Sequence, residues 1–372
     1  MSTNVPALVG TALDDVITPC LVIDLDAFER NIQRMARYID KQGLRLRAHA
    51  KTHKSANIAL LQIASGAVGV CCQKVSEAEA LVNGGVRDVL VSNQVVNPRM
   101  IERLAALARQ ARVLVCVDDL HNIDAIDAAA LRYGSRIEVL VEIDVGAGRC
   151  GVEPGEAAVP LARRIAGSEC LRFAGLQAYQ GKAQHVRDYA ERKAAIDTAI
   201  SRVSGTVERL REEGLDCDIV AGAGTGTYRF EGGSHVYNEL QCGSYVFMDA
   251  DYGRIRMEDG RAIDEFEHSL FIYTTVMSKT KAEKAICDAG LKAQSVDSGV
   301  AVVYGRDDIE YIGASDEHGV ISDPDNRLRL GEKLRLVPGH CDPTVNIYDW
   351  FVGVRNGRVE CLWPVTARGM SL

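Results

Sequence analysis

An eight-stranded α/β barrel followed by a smaller all-β domain is the fold class that this 372-residue sequence predicts. Three observations predict it. Short apolar runs alternate with amphipathic stretches from residue 20 to about residue 251, the pattern of a parallel sheet covered on both faces. After that the rhythm changes to strand and turn, punctuated by Gly and Asp, with no strong helical stretch between the runs. The length also exceeds the size at which one core keeps growing, so a large domain with a smaller companion is expected.

The apolar runs of the first part fall at 20–25, 44–50, 67–72, 88–91, 112–117, 136–145, 171–179, 216–221 and 239–248. Nine runs are one more than a (β/α)8 barrel of the TIM type needs. The surplus is resolved if 20–25 pairs within the smaller domain. The barrel is then placed at 26–254, and the β-domain at 1–25 plus 255–372. Between the runs, Phe28, Ile32, Met35 and Ile39 recur at helical spacing on one face. Ser76 with Glu79 reads as a capping box, and Asn97 before Pro98 as an N-cap with a first-turn proline. The stretch 228–238 is Gly-rich and too short for a good helix. The later runs, at 268–277, 284–288, 333–337, 350–355 and 358–364, make up a β-domain of ordinary size.

Composition narrows the function classes. At 47% hydrophobic and 25% charged, the chain has the make-up of a globular protein rather than a disordered or fibrous one. With 51 acidic against 43 basic residues, its net charge is −8, which argues against nucleic acid or a membrane surface as partner. Eleven cysteines, scattered and without a CxxC pair, behave as free, mostly buried thiols of a reducing compartment. No Lys or Arg precedes Arg30, and no apolar run approaches the ~18 residues of a membrane span. A cytoplasmic enzyme is the expectation.

Four segments carry chemistry. Gly146-Ala-Gly148-Arg-Cys-Gly151 matches GxGxxG after a strand, but Pro154 falls where a phosphate-binding helix should be under way. The unit also sits mid-series rather than at a first βα turn. Its glycines read better as a loop presenting Arg149. In Arg47-Ala-His49-Ala-Lys51-Thr-His53-Lys54, Lys51 stands at the C-terminal end of the first barrel strand, the catalytic face of such barrels. Neighbouring cations are expected to favour its neutral amine, as a Schiff-base lysine requires. The glycine loops around Thr225 and around Gly243-Ser244 follow the last two strands, the usual phosphate site of the fold.

The fourth segment is Pro338-Gly-His340-Cys341-Asp342. Alternate residues of a strand share a face, so His340 and Asp342 are expected to bind one divalent cation, Mg²⁺, Mn²⁺ or Zn²⁺. Cys341 is expected to point away as a packing residue. Gln73, Gln177, Tyr179, His185 and the run Asp316-Glu317-His318 stand near strand ends, each singly more structural than catalytic in appearance. His121, His235 and His268 are read as surface or core histidines.

Together these segments resemble the D-threonine aldolase and D-serine dehydratase-like group of fold-type III pyridoxal phosphate (PLP) enzymes. The matching motifs are TPCLVIDL, RAHAKTHK, GVCCQKVSEAEA, EIDVGAGRCGV, GLQAYQG, GAGTGTY, NELQCGSYVFMDADYG, DAGLKAQSVDSG, DEHGV and LVPGHCDPTVN. They run in order from residue 18 over essentially the whole chain. The resemblance implies an alanine-racemase-like barrel with PLP held covalently on Lys51. Gln73, Tyr179, Thr225, Gly243 and Ser244 would contact the cofactor, the last three at its phosphate, and Arg149 would sit beside its ring. His340 and Asp342 would carry the metal. The group's metal pair is typically His and Cys, so Asp342 points to the aldolase branch.

The activity implied is cleavage of a β-hydroxy-D-amino acid to glycine and an aldehyde, with His185 or a metal-held hydroxide as base. A dehydratase on the same parts is the rival reading. A non-enzymatic PLP carrier and a metal-only hydrolase stand further off. A small-molecule amino-acid substrate, no nucleic acid, no membrane and a homodimer complete the expectation.

Overall fold

The computed structural model describes residues 5–372. Residues 1–4, the start of the segment assigned to the β-domain, lie outside the described residues. Strand β1 (Cys20–Asp24) leads into helix α1 (Leu25–Gln42), and the barrel strands follow with helices between them. These are β2 (Arg45–His49), α2 (Ala56–Ala64), β3 (Gly69–Cys72), α3 (Val75–Asn83), β4 (Asp88–Gln94), α4 (Pro98–Leu107), β5 (Arg112–Val117) and α5 (Leu120–Tyr133). Then come β6 (Ile137–Glu142), α6 (Ala158–Ala166), β7 (Leu171–Gln177), α7 (Tyr189–Glu212), β8 (Ile219–Gly222), α8 (Tyr228–Gly232) and β9 (Glu239–Leu240).

Strands β2 to β9 form a closed parallel barrel, sealed where β9 pairs with β2 through Arg45↔Glu239 and Leu46↔Leu240. Its interior is packed by Cys71, Leu90, Leu114, Cys116, Leu140, Ala174, Ile219 and Ala221. Gly175 is required in β7, because a Cβ there would stand 1.9 Å from the Ile219 carbonyl oxygen. Helix α1 buries Phe28, Ile32, Met35 and Ile39 as its spacing predicts; Asp24 caps it and left-handed Gly43 ends it. Asn97 caps α4 by accepting the Arg99 N–H, with Pro98 in the first turn.

The predicted cap at Ser76 is corrected. Helix α3 begins at Val75, with Lys74 as its N-cap, two residues before the predicted one. The Glu77 carboxylate accepts the N–H groups of Gln73 and Lys74 at 2.8 and 3.1 Å. Ser76 instead turns its hydroxyl to the Leu372 carbonyl, and Glu79 pairs with Arg103.

The surplus strand lies where the count requires. β1 runs antiparallel to β10 (Leu270–Lys281) and parallel to β16 (Trp350–Arg355) in the second sheet. That sheet also holds β11 (Lys284–Cys287), β12 (Val302–Val303), β13 (Glu310–Ala314), β14 (Gly319–Ser322), β15 (Lys333–Val337) and β17 (Arg358–Pro364). Strands β12 to β14 escaped the sequence reading, being short and interrupted by polar residues. The 239–248 run shortens to two strand residues. The rest forms a buried turn whose apolar side chains, Tyr245 to Met248, join the main core. Past this turn the barrel is stitched to the β-domain: the Ala250 and Asp251 N–H groups each donate at 3.0 Å, to the carbonyls of Pro338 and Gly339.

The segment expected as a strand around His340 is also corrected. His340 is the N-cap of a short helix α9 (Cys341–Val345), because the β15 ladder ends at Val337 and Pro338-Gly339 turns the chain. All eleven cysteines are free. Among the described residues, no helix is long and apolar enough to cross a membrane.

Candidate active site

β2 delivers Lys51 at its C-terminal end, inside a single 3-10 turn (Ala50–Thr52) that lifts the side chain over the barrel mouth. Around it is a cavity of about 270 Å³ lined by His49, Lys51, Thr52, Gln73, Ser92, Arg149, Gln177, Tyr179 and Tyr252, and by the two glycine loops through Thr225, Gly243 and Ser244. The seven residues expected to touch a cofactor therefore share one space: Lys51, Gln73, Arg149, Tyr179, Thr225, Gly243 and Ser244. Arg149 reaches it as the sequence predicts. The loop after β6 turns on left-handed Gly146, Gly148 and Gly151 and is held by Asp144, which accepts the Gly146 and Gly148 N–H groups. The guanidinium lies 5.8 Å from the Tyr179 ring centroid.

Small residues are obligatory in the two loops. A Cβ on Gly224 would meet Gln184 Oε1 at 2.4 Å, and one on Gly243 would meet Thr52 Oγ1 at 2.6 Å. Thr225 Oγ1 accepts the Tyr245 N–H at 2.9 Å and so ties one loop to the other. The buried Thr52 hydroxyl has no hydrogen-bond partner among the described residues. Two cations, Lys51 and Arg149, line the cavity and no carboxylate does. An anionic phosphate with an aldehyde for the lysine fits this set: hydroxyls and tight glycine loops at one end, an amine at the other.

Beside the cavity stands the second expected pair. Asp342 Oδ2 lies 3.1 Å from Lys51 Nζ and 3.6 Å from His340 Nε2. The pair converges although it starts a helix rather than lying along a strand. Cys341 does not point away: its thiol is 3.7 Å from Asp342 Oδ1. Burial pushes that thiol well above its ordinary range, so it stays protonated and is a poor ligand. Burial alone would lower the His340 pKa, but hydrogen bonds to Asp249 and Asp342 carry it up to about 10. The ring therefore carries a second proton until a cation displaces it from Nε2; the imidazole so freed and the Asp342 carboxylate, with open positions beside them, fit a divalent cation.

The expected electrostatics of Lys51 are overturned. Burial takes His49 down to about 3 and His53 to about 4, so both are neutral neighbours rather than cations. The Asp342 carboxylate then dominates and holds the Lys51 amine above its usual range. His49 instead spans the cavity wall, its Nε2 3.0 Å from Gln73 Nε2. His185 lies further out and is exposed. Its Nδ1 meets Asp251 Oδ2 at 2.7 Å, and Asp251 also binds Arg187. The Tyr252 ring centroid is 6.4 Å from that of His185 and 6.4 Å from that of His340. Asp249, Thr52, Ser92 and Tyr252 were not singled out in the sequence; the only signal for Asp249 and Tyr252 was their place inside MDADYG.

Barrel, strand-end lysine and glycine cradle define a class of α/β-barrel enzyme that holds a phosphorylated aldehyde cofactor on a lysine. Residues 23–251 match the family of the alanine racemase N-terminal domain, and 269–354 match the serine dehydratase domain. The 3-hydroxy-D-aspartate aldolase of Paracoccus denitrificans (strain Pd 1222) is 56% identical over 98% of this chain and 96% of that one. The crystal structure of D-threonine aldolase from Filomicrobium marinum matches with a TM-score of 0.96 at 50% identity, covering 99% of this chain and 100% of that one. D-threo-3-hydroxyaspartate dehydratase of Delftia sp. (strain HT23) is more distant, 30% identical over 88% of this chain and 91% of that one. This chain belongs to the alanine-racemase-like, fold-type III family of PLP-dependent enzymes, in its D-serine dehydratase-like group.

Proposed function

We propose that the protein is a PLP- and divalent-metal-dependent aldolase that cleaves β-hydroxy-D-amino acids, 3-hydroxy-D-aspartate or D-threonine, to glycine and glyoxylate or acetaldehyde. The observation that carries this reading is the meeting of Lys51, Asp342 and His340 within 3.1 and 3.6 Å. In this reading a two-ligand cation site stands directly against the lysine that would hold the cofactor. The aldolase relatives, more similar than the dehydratase, support the same choice.

In this reading residues 26–254 form the cofactor-binding barrel, and 1–25 with 255–372 form the β-domain that supplies the metal pair. When bound, PLP supplies the electron sink for the bond broken at Cα, and the cation lowers the pKa of a hydroxyl beside it. Lys51 would hold the cofactor through its amine, and that amine would be the group that moves a proton at Cα. Thr225, Gly243 and Ser244 clasp the phosphate; Gln73, Arg149 and Tyr179 fix the ring. His340 and Asp342 hold the metal, with Mg²⁺ or Mn²⁺ favoured over Zn²⁺ by the oxygen donor. His185, oriented by Asp251, takes the β-hydroxyl proton at Nε2. A homodimer in the cytoplasm belongs to the same proposal, on family resemblance.

The deciding experiment is product analysis of the holoenzyme with D-threonine and both 3-hydroxy-D-aspartate diastereomers, with and without EDTA. Glycine plus the aldehyde, suppressed by EDTA and restored by Mn²⁺, is expected. Ammonia and a keto acid without glycine would replace the aldolase by the dehydratase.

A further inference from the structure

Asp249 has no place in the roles assigned above, yet its carboxylate is fully buried where the barrel hands over to the β-domain. Three N–H donors converge on it. Oδ2 takes the proton of His340 Nδ1 at 2.8 Å and the Cys341 N–H at 3.0 Å, while Oδ1 takes the Tyr252 N–H at 2.9 Å. Two of these donors fix the start of α9, which carries Asp342, and the third fixes Tyr252 in the cavity wall. A buried carboxylate is tolerated only when its lone pairs are met this fully.

The His340 bond has a chemical consequence. Both Asp249 oxygens face N–H donors, so the Nδ1 that meets Oδ2 serves as a donor too, and Nε2 is the nitrogen left to bind a metal once the metal displaces its proton. That nitrogen is the one 3.6 Å from Asp342 Oδ2. We propose that Asp249 is a positioning residue of the cation site, fixing the tautomer and ring orientation that aim His340 Nε2 at a metal shared with Asp342. This inference rests on the reading of His340 and Asp342 as the metal pair.

The competing arrangement makes Asp249 itself a ligand, since its oxygen, a His340 nitrogen and the Cys341 sulfur lie within 4.8 Å of one another. The hydrogen bonding opposes it: both Asp249 oxygens already face N–H donors. Asparagine cannot replace Asp249, because one carbonyl oxygen cannot face donors on both sides and the amide N–H₂ would oppose one of them.

The test is Mn²⁺ binding to metal-stripped, PLP-loaded protein, read as free Mn²⁺ by electron paramagnetic resonance. Asp249→Asn is expected to weaken Mn²⁺ about 10- to 100-fold, the usual cost of losing an outer-shell partner of a ligating histidine. In a His340→Ala background the same substitution is expected to change Mn²⁺ affinity less than about 2-fold, because Asp249 acts through that ring. An unchanged affinity in the wild-type background overturns the inference, as does an equal loss in both backgrounds, which would mean that Asp249 does not act through His340.

A second measurement needs no Asp249 variant. In Zn²⁺-loaded protein labelled with ¹⁵N-histidine, the resonance lost in His340→Ala is expected to show a protonated Nδ1 and a metal-shifted Nε2. The reverse pattern overturns the inference. Wild-type protein that binds no Mn²⁺ overturns both this inference and the metal reading beneath it; wild-type binding with an indifferent Asp249→Asn overturns this one alone.

Discussion

The two ends of the barrel use charge in opposite ways. At the N-terminal end, charged residues stand at or next to the first position of most strands and close into a ring. Arg45 and Arg47 of β2 pair with Glu239 of β9; Arg47 also meets Asp88 of β4, which holds Arg112 of β5. Arg112 continues to Glu138 of β6, Glu138 to Arg172 of β7, and Arg172 to Asp218 before β8, whose carbonyl accepts from Arg45. Each of these four arginines has a carboxylate partner. At the C-terminal end, two cations face a cavity without a lining carboxylate, and Asp342 beside it is engaged by Lys51 and His340. One end neutralises charge to hold the barrel shut. The other leaves charge unspent for an anionic cofactor and a cation.

The largest effect that separates the ends is expected at Lys51. Lys51→Ala removes the residue that holds PLP, so cleavage should fall by at least ~10³-fold, the scale of losing a covalent catalytic group. The cofactor absorbance near the visible edge should vanish with it. Urea unfolding should shift by less than ~1 kcal/mol, since the amine is near the surface of the site and its removal frees Asp342 for solvent or cation. Protein that keeps the absorbance band would sink the assignment of Lys51.

Arg47 should behave in reverse. Its side chain is 0% exposed between Glu239 and Asp88, and removal leaves the buried Glu239 with only the longer, 3.5 Å contact to Arg45. Arg47→Met is expected to cost about 3–5 kcal/mol in urea unfolding, the penalty for breaking a buried pair from one side. The kcat of the folded fraction should stay within about 2-fold. A large loss of kcat at unchanged stability would mean that the two ends are not separable.

The sequence made one end more legible than the other. Lys51, Thr225, Gly243 and Ser244 could be placed because strand ends and glycine loops are local signals, and topology carries them to one face. β1 was assigned to the second sheet by counting alone. The ring of ion pairs needs barrel register, which no single run displays, although Asp88 and Arg112 each open an apolar run. His340 and Asp342 were paired on the wrong backbone: i and i+2 share a strand face, whereas here a helix start brings them together. The sign of the Lys51 environment was missed for a different reason. Counting flanking histidines as cations ignores that full burial neutralises them.

The functional end also bears a cost that pH can reveal. Beneath the first glycine loop, Glu231 is buried with only the Thr227 hydroxyl on Oε1 and nothing on Oε2, and burial raises its pKa to about 7. A folded-state pKa above the unfolded one means that the native state binds the extra proton. The stability it contributes is therefore complete below about pH 4.5 and is lost as pH rises through about 7. Between pH 5 and 8 this one group should remove on the order of 2 kcal/mol. Glu231→Gln, which cannot ionise, should flatten that slope and unfold at higher urea than wild type at pH 8. An unchanged slope would mean that Glu231 is ionised in the fold.

The smallest effect tests whether the ring at the other end is a network or a row of separate pairs. Arg172 is about one-third exposed and bridges Glu138 and Asp218 from the solvent side. Taken singly, such pairs contribute about 0–1 kcal/mol, because water already screens them and the long side chain loses entropy when held. Arg172→Gln should therefore cost less than about 1 kcal/mol, against the several expected at Arg47. Glu138 would still be held by Arg112 and Asp88 by both Arg47 and Arg112, so the buried members keep their partners. If the ring is cooperative, the cost of Arg172→Gln will depend on Arg47, and the double variant with Arg47→Met will differ from the sum by more than ~0.5 kcal/mol. Additivity within that margin would confine the ring's stabilising effect to the buried trio of Arg47, Glu239 and Asp88. The outer pairs would then serve to keep charge off the closed end rather than to hold it together.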